Sequence, residues 1–305
     1  MISEATIATA RLYPECLPDA RVLNVGAGAE ASPALLDLRR FRPKFLTLGA
    51  AALDQNAGAR LRIRNDTDRL EMNCAGYPQN AAGEPYLTRW GLVGTELLQL
   101  NLYAAAALSN YRAFFNVWVY EPTVAHKLKH GKLLTPEEAD LAERLGLRAA
   151  VEKGVLPLSI PYLIEREYQV LDETTYGQVV DVSTTEATVA EVPARPNELL
   201  VLTAFSSAPD AVANNIRIRI DRDDDPNYLE IPTFPLRLET DWPCFVPALH
   251  ELRIKLIAAN PVAAHPFRYT VRRCLLTNTL RVRFGLLRKE EAPGELWDKV
   301  KGGVL

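Results

Sequence analysis

The segment Ile216-Arg217-Ile218-Arg219-Ile220 alternates apolar and basic residues with a period of two. Leu252-Arg253-Ile254-Lys255-Leu256 and Leu280-Arg281-Val282-Arg283-Phe284 repeat the pattern. Successive side chains of a β-strand point to opposite faces, so each segment would bury one face and leave the other in water. Stretches rich in Pro, Asn and Asp separate the segments, as turns separate antiparallel strands. The pattern predicts an antiparallel β-sandwich in the C-terminal part of the chain.

The rest of the chain extends this prediction to an α+β fold that is mainly β, with a jelly-roll-like sandwich, an N-terminal α+β part and a helical insert. No internal repeat is evident in the sequence. The predicted regions are an N-terminal α+β region at 1–90, a helical region with one strand at 91–164, the antiparallel sandwich at 165–290 and a C-terminal tail at 291–305.

Helices are predicted at three places outside the sandwich. Ser32-Pro33 matches an N-cap followed by proline at the first helical position, which predicts a helix to about residue 40. Residues 91–111 contain many helix formers and no proline, which predicts a buried helix. Three short helices follow between residues 123 and 153. The second of them begins with Thr135-Pro136-Glu137-Glu138, a capping box.

Composition places the 305-residue chain among ordinary globular proteins, with 48% hydrophobic and 24% charged residues. The net charge of −3 gives no attraction to nucleic acid or to an anionic membrane. The N-terminus lacks a basic segment followed by an apolar one, so we expect no signal peptide and synthesis in the cytoplasm. The four cysteines lie far apart without a C-x-x-C pair, and we expect them to be buried apolar residues.

One stretch suggests a nucleotide site. Residues 22–31, Val-Leu-Asn-Val-Gly-Ala-Gly-Ala-Glu-Ala, resemble the first glycine-rich motif of dinucleotide-binding Rossmann proteins and of S-adenosylmethionine methyltransferases. The resemblance implies a strand, a turn at Gly26-Ala27-Gly28 and a helix whose amides face a cofactor. The sequence departs from the motif because the next strand, at 45–49, is followed by alanines and not by an acid. The alternative is a strand that ends in a glycine turn, and we expect no resident cofactor.

Two groups of residues resemble metal sites. His126 and His130 share one face of a predicted helix, but lysines lie between them, so a solvated basic face is the preferred interpretation. The acidic stretch 221–225 resembles a calcium loop, although prolines occupy the sixth and twelfth positions of an EF-hand. We interpret it as an acidic hairpin turn, with a calcium-stabilised turn as the alternative. No metal ligand is predicted.

The outward rows of the alternating strands are the predicted functional surface. They form a basic face that docks an acidic partner or a neighbouring subunit, or they are the solvent side of a sheet, paired with nearby acids. A tryptophan in the C-terminal tail would reach a neighbour. The interface candidates are Arg217, Arg219, Arg253, Lys255, Arg281, Arg283 and Trp297.

The sequence lacks the constellations that catalysis needs. It has no G-x-S-x-G motif, and His250 and His265 have no recognisable partners. We therefore predict a non-enzymatic structural protein that self-assembles or docks on a particle, such as a phage virion component (capsid, decoration or tail). Its partners would be copies of itself and other particle proteins, with no membrane and no direct contact with nucleic acid. The alternatives are a cofactor-binding methyltransferase or dehydrogenase-like enzyme, and a carbohydrate-binding sandwich with Tyr228, Trp242 and Phe245 as its platform.

Overall fold

The structure is a computed structural model that describes residues 14–37, 44–66, 68–81, 85–156, 158–208, 213–223, 229–233, 236 and 240–305. Within these residues the chain forms sixteen strands, six α-helices and one 3₁₀ helix, Cys74–Gly76. The sheets are built from antiparallel pairs. The structure therefore confirms the predicted α+β, mainly β, sandwich-like fold.

The first eight strands are β1 (Glu15–Val25), β2 (Ala29–Asp37), β3 (Phe45–Leu53), β4 (Ala59–Asn65), β5 (Asp68–Asn73), β6 (Thr88–Gly94), β7 (Leu97–Ala104) and β8 (Leu108–Tyr120). The last eight are β9 (Val170–Val182), β10 (Ala187–Pro193), β11 (Glu198–Ser207), β12 (Arg217–Arg222), β13 (Leu229–Pro232), β14 (Trp242–Ala248), β15 (Glu251–Ile257) and β16 (Val262–Leu275). The helices are α1 (Val124–Lys129), α2 (Pro136–Arg144), α3 (Leu147–Glu152), α4 (Ile160–Glu167), α5 (Asn278–Arg283) and α6 (Leu296–Gly302).

The strands form two sandwiches of the same topology. One eight-stranded sheet has the order β6-β3-β8-β1-β14-β11-β16-β9, and two four-stranded sheets have the orders β2-β7-β4-β5 and β10-β15-β12-β13. The two halves match strand by strand. Adding eight to the numbers in β6-β3-β8-β1 gives β14-β11-β16-β9, and adding eight to those in β2-β7-β4-β5 gives β10-β15-β12-β13. Each half has the eight strands and two sheets of a jelly roll. We call β1–β8 the first roll and β9–β16 the second roll.

The two rolls also share their irregularities. Asp66 and Asp223 each follow the fourth strand of their roll, and each has a positive φ, 48° and 46°. The Asp66 amide donates to the Leu97 carbonyl, and the Asp223 amide donates to that of Glu251, at the start of the seventh strand. A register shift follows Leu48 in the third strand of the first roll and Leu202 in that of the second. Equivalent positions can therefore be assigned residue by residue.

The structure corrects two predictions, the helix at residues 91–111 and the absence of an internal repeat. These residues form β6, β7 and the start of β8, and not a helix. Leu98, Leu100 and Leu102 alternate along β7 and are buried between the sheets, as Leu252, Ile254 and Leu256 are along β15. Leucine favours a helix in isolation, but pairing with β2 and β4 overrides that preference.

Other boundaries also differ from the predictions. Residues 29–37 form β2, so the helix predicted from Ser32 is wrong; Pro33 lies at a register shift, where a missing amide donor is tolerated. Residues 280–283 belong to α5, whose N-cap is Thr277 and whose C-cap is Phe284, and not to a strand. The proline-containing β14 was missed. The predicted domain boundaries stay a prediction.

The core has one main cluster between the sheets and a second one outside them. The main cluster runs through both rolls, and large apolar side chains such as Phe115, Phe205 and Phe267 fill it. The second cluster packs α4 and α5 against the outer face of the eight-stranded sheet. We call α1–α6 the helical layer. None of its helices, in the part of the chain that the structure describes, has the length and apolar character to cross a membrane.

The rolls meet where β1 pairs with β14, which we call the seam. One register pair, Cys16 with Phe245, defines it. Beside it, Arg222 of β12 lies 2.7 Å from Glu15 of β1, and both side chains are buried. Two charges that are buried away from water are stable only when they contact each other closely. This ion pair therefore holds one roll against the other.

Candidate interaction surface

The predicted basic row lies on the outer face of the sheet β10-β15-β12-β13, but acids neutralise it. Arg219 contacts Asp221 at 2.8 Å and Glu186 at 2.6 Å. Lys255 contacts Asp221 at 2.8 Å. Burial opposes the ionisation of Asp221, but hydrogen bonds from Lys255 and Arg219 outweigh it and lower the pKa of Asp221. The row is a network of paired charges.

The two remaining strand candidates are paired in the same way. Arg217 contacts Glu230 at 2.5 Å, and Arg253 contacts Glu251 and, at 3.8 Å, Glu191. This pairing matches the interpretation of a solvent-facing sheet. The role of Arg217, Arg219, Arg253 and Lys255 at an interface stays a prediction.

The first roll carries a matching network that the sequence reasoning missed. Arg60 and Arg62 of β4 both contact Glu71 of β5, at 2.9 and 2.8 Å, and Arg62 also contacts Glu30 of β2. In the second roll Arg217, Arg219, Glu230 and Glu186 stand at the equivalent positions. The signal was present in Arg60-Leu61-Arg62-Ile63-Arg64, which alternates as residues 216–220 do.

Arg281 and Arg283 do not extend the strand row, because they lie on α5. Arg281 donates to Asn197 at 2.7 Å. Arg283 is buried and makes a bidentate contact with Glu167 of α4, at 2.5 and 2.6 Å. It also donates to the Leu305 carbonyl at 2.8 Å. The geometry gives Arg283 a structural task inside the helical layer.

Trp297 lies on α6, partly buried, with the ammonium of Lys301 5.4 Å from its ring centre. It lines a cavity of about 310 Å³ between α1, α2 and α6. Charged side chains line much of the cavity and contact one another: Lys127 with Glu138 at 2.5 Å, Arg144 with Asp298 at 2.8 Å, and Lys301 with Glu121 at 3.8 Å. Its role toward a neighbouring subunit stays a prediction.

The edge strand β9 carries four of the five large apolar side chains that are exposed on the described strands. It ends the eight-stranded sheet and pairs, among the described residues, with β16 alone. Val170, Leu171, Tyr176 and Val179 are 47%, 51%, 41% and 64% exposed. Sequence reasoning missed this edge because strand order is not readable from a local pattern.

The glycine turn connects two strands. Gly26–Gly28 connect β1 to β2, so no helix follows the glycines. Gly28 has a φ of +70°, and its amide donates to the carbonyl of Ala104 at 2.7 Å. That amide is engaged within the fold, so the structural basis of the resemblance is absent.

The two histidines of the predicted pair contact different parts of the fold. His126 is buried, with its Nδ1 2.7 Å from the Thr123 hydroxyl and its Nε2 3.3 Å from the Leu158 carbonyl. His130 packs edge-on against Phe45. Burial lowers the pKa of His126 to about 4. The interpretation as a solvated basic face is therefore wrong for His126.

The acidic stretch after β12 is partly described. β12 and β13 pair as an antiparallel hairpin, as predicted, and residues 224–228 lie outside the described part. Asp223 accepts from the amides of Leu249, His250 and Glu251 at 3.1, 2.6 and 3.1 Å. Among the described residues no group of three His, Cys, Asp or Glu side chains is arranged to hold a metal ion.

The remaining candidates are a serine–histidine pair, the predicted aromatic platform and the cysteines, and their described residues are buried. The Ser207 hydroxyl is 2.7 Å from Nε2 of His265, but both side chains are buried and closed to a substrate. Trp242 and Phe245 are buried as well, so they offer no stacking platform, and Tyr228 lies outside the described residues. All four cysteines are free and buried, as expected.

Comparisons with known proteins add little. No protein-family model and no curated protein matches the chain. Among solved structures, FlhE is similar at 17% identity with a TM-score of 0.23, over 36% of this chain and 99% of that one. The PBSX exported protein XepA is similar at 13% identity and 0.22, over 90% and 88%. A Sulfolobus Turreted Icosahedral Virus structure is similar at 8% and 0.25, over 86% of this chain, which spans 60% of that one. Similarity at this level carries no information on function.

Proposed function

We propose that the protein is a non-enzymatic structural subunit of an assembled particle, such as a phage capsid, decoration or tail component. The observation that carries the proposal is the edge of β9. A strand of this length with four exposed apolar side chains is a template for pairing with another chain, and soluble monomers normally protect such edges.

The architecture supports the same proposal. Jelly rolls occur in viral capsids, lectins and cupins, so the fold alone does not choose among them. Rolls that hold a ligand keep space between their sheets, whereas apolar side chains fill both rolls of this chain. The outer faces carry paired charges, which suit polar contacts between subunits.

Light scattering and electron microscopy of the purified protein test the proposal. We expect the mass to rise with concentration over about a hundredfold range, since weak subunit contacts follow mass action, and ordered rings, tubes or sheets to form at the upper end. A monomer throughout that range would contradict the proposal.

A further inference from the structure

The seam inside the chain provides a template for contact between chains. It joins the first strand of one roll, β1, to the sixth strand of the other, β14. The equivalent strands, β9 and β6, are the two ends of the same eight-stranded sheet. We propose that β9 of one copy pairs with β6 of the next, so that the seam is repeated between molecules. This proposal rests on the proposed function and names its partner strand.

Strand direction permits this pairing without any rearrangement. Neighbouring strands alternate in direction across the eight-stranded sheet, so β6 and β9 run opposite ways. A second copy in the same orientation, set beyond β9, therefore presents its β6 antiparallel. An end-to-end contact of this kind uses two different surfaces and builds rings or filaments.

The repeat predicts the register. Val25 pairs with Leu108 as Val182 pairs with Val262, and counting back along each strand makes Cys16 equivalent to Glu173. Leu46 pairs with Gly94 as Leu200 pairs with Ala248, which makes Phe245 equivalent to Gly91. The seam pair Cys16–Phe245 then becomes Glu173 opposite Gly91. This register places Arg89 diagonal to Glu173 and Leu171 opposite Val93.

The chemistry of the two edges fits this register. Arg89 is exposed on β6, which carries no acid, whereas β9 carries Asp172, Glu173 and Asp181 and no base. A full-length antiparallel pair of two β9 strands would set Tyr176 opposite Tyr176, and Asp181 of each strand would lie diagonal to Glu173 of the other. Like charges on adjacent positions of one face destabilise a strand pair. The charges therefore favour β6 over a second β9.

The composition of the edges would allow a longer contact than the seam. Pro18 on β1 and Pro243 and Pro247 on β14 lack amide donors, and the seam has one register pair. β6 and β9 contain no proline. Among the described residues no second strand lies beside either edge, so main-chain hydrogen bonds can extend across the contact, except at the Val93 carbonyl, which already accepts from Asn65.

Two blocked variants of the full chain test the proposal. The first variant, Val170→Glu/Leu171→Glu, introduces acidic side chains at two exposed positions of β9. Arg89→Glu/Gly91→Asp places acids on β6, where a side chain at Gly91 meets no atom within 4 Å. Leu133→Glu is the matched control, because Leu133 is 95% exposed and belongs to neither edge strand. Circular dichroism confirms folding, and sedimentation velocity measures association.

The expected result is that each blocked variant associates on the order of a hundredfold more weakly than the wild type and the control. A mixture of the two variants should form a dimer that grows no further, because one intact β9 then meets one intact β6. Dimers of the β6 variant alone would overturn the proposal in favour of β9–β9 pairing. Wild-type assembly that survives in both variants would overturn the pairing and leave the proposed function standing. A wild-type protein that never assembles would overturn both.

Discussion

The strands β1 and β9 hold the same place in their rolls, yet one is covered and the other is not. The first six residues of β1 are buried because β8 and β14 lie on its two sides and the helical layer packs over Cys16. The first four residues of β9 are exposed because only β16 lies beside it among the described residues. A neighbour, and not the strand itself, decides burial at this position. Comparing β1 with β9 therefore separates the burial that a roll gives to its own first strand from the burial that a neighbouring strand adds.

Breaking the buried pair at the seam should have the largest effect. Arg222→Ala leaves the carboxylate of Glu15 buried without its 2.7 Å partner, which costs about 3–5 kcal/mol of unfolding free energy. Asn65 is the equivalent residue of the first roll, and Asn65→Ala removes one hydrogen bond to the Val93 carbonyl, worth about 1 kcal/mol. Urea unfolding measures both.

Glu15→Gln in the Arg222→Ala background is the control for this explanation. It removes the buried charge and should recover part of the lost stability. Equal losses for Arg222→Ala and Asn65→Ala would show that the seam adds nothing beyond the fold of each roll.

The helical layer, which neither roll contains, should make stability depend on pH. The folded pKa of His126, about 4, lies below the unfolded value of about 6.5, so protonation favours the unfolded chain. Its contribution is complete above about pH 6.5 and decreases as the pH falls toward 4, by about 3 kcal/mol. Denaturant unfolding across this pH range measures the slope.

His126→Gln should flatten that slope. Burial also lowers the pKa of His130, but this ring is only half-buried, so His130→Gln should remove a smaller part of it. A slope that persists unchanged in His126→Gln would refute the assignment.

The equivalent aspartates test whether the rolls are alike in energy as well as in geometry. Asp66 accepts from the amides of Thr95, Glu96 and Leu97, and Asp223 accepts from three amides of the matching loop. Burial opposes the charge of Asp66, but these bonds lower its pKa, so its contribution is present above about pH 4 and disappears below it. Asp66→Ala and Asp223→Ala should each cost about 2–4 kcal/mol.

Asparagine tolerates a positive φ and can still accept hydrogen bonds, so Asp66→Asn and Asp223→Asn should lose less. Thermal unfolding compares the four variants. A large loss at one aspartate and none at the other would break the equivalence.

The sequence predicted the sandwich where each strand could be recognised alone. Residues 216–220 alternate with isoleucine and residues 252–256 with leucine and one isoleucine, and residues 217–220 and 252–256 lie in strands. Residues 97–104 alternate too, but with leucine and alanine, whose helix preference hid the period. Residues 280–284 show the opposite error, because a run of five alternating residues also fits a short helix, and the Thr277 cap decides it.

The candidate surface was harder to predict than the strands. Arg217 and Arg219 were found, but their acids Glu230 and Glu186 come from other strands and required the sheet order. The duplication was invisible because the two rolls share positions and charges more than residue types. The exposure of β9 depends on where the sheet ends, which no segment encodes by itself.

Substitutions in the surface charge networks should have the smallest effect on stability, and they test the predicted interface most directly. Arg219→Ala and its equivalent Arg62→Ala remove partly exposed surface ion pairs, which contribute little to stability because water and salt screen them. Thermal unfolding midpoints close to that of the wild type are expected for both. If the second-roll network contacts a neighbour, sedimentation should show weaker association for Arg219→Ala than for Arg62→Ala. Equal association of both variants would remove Arg219 from the interface and leave the sheet edges as the contact.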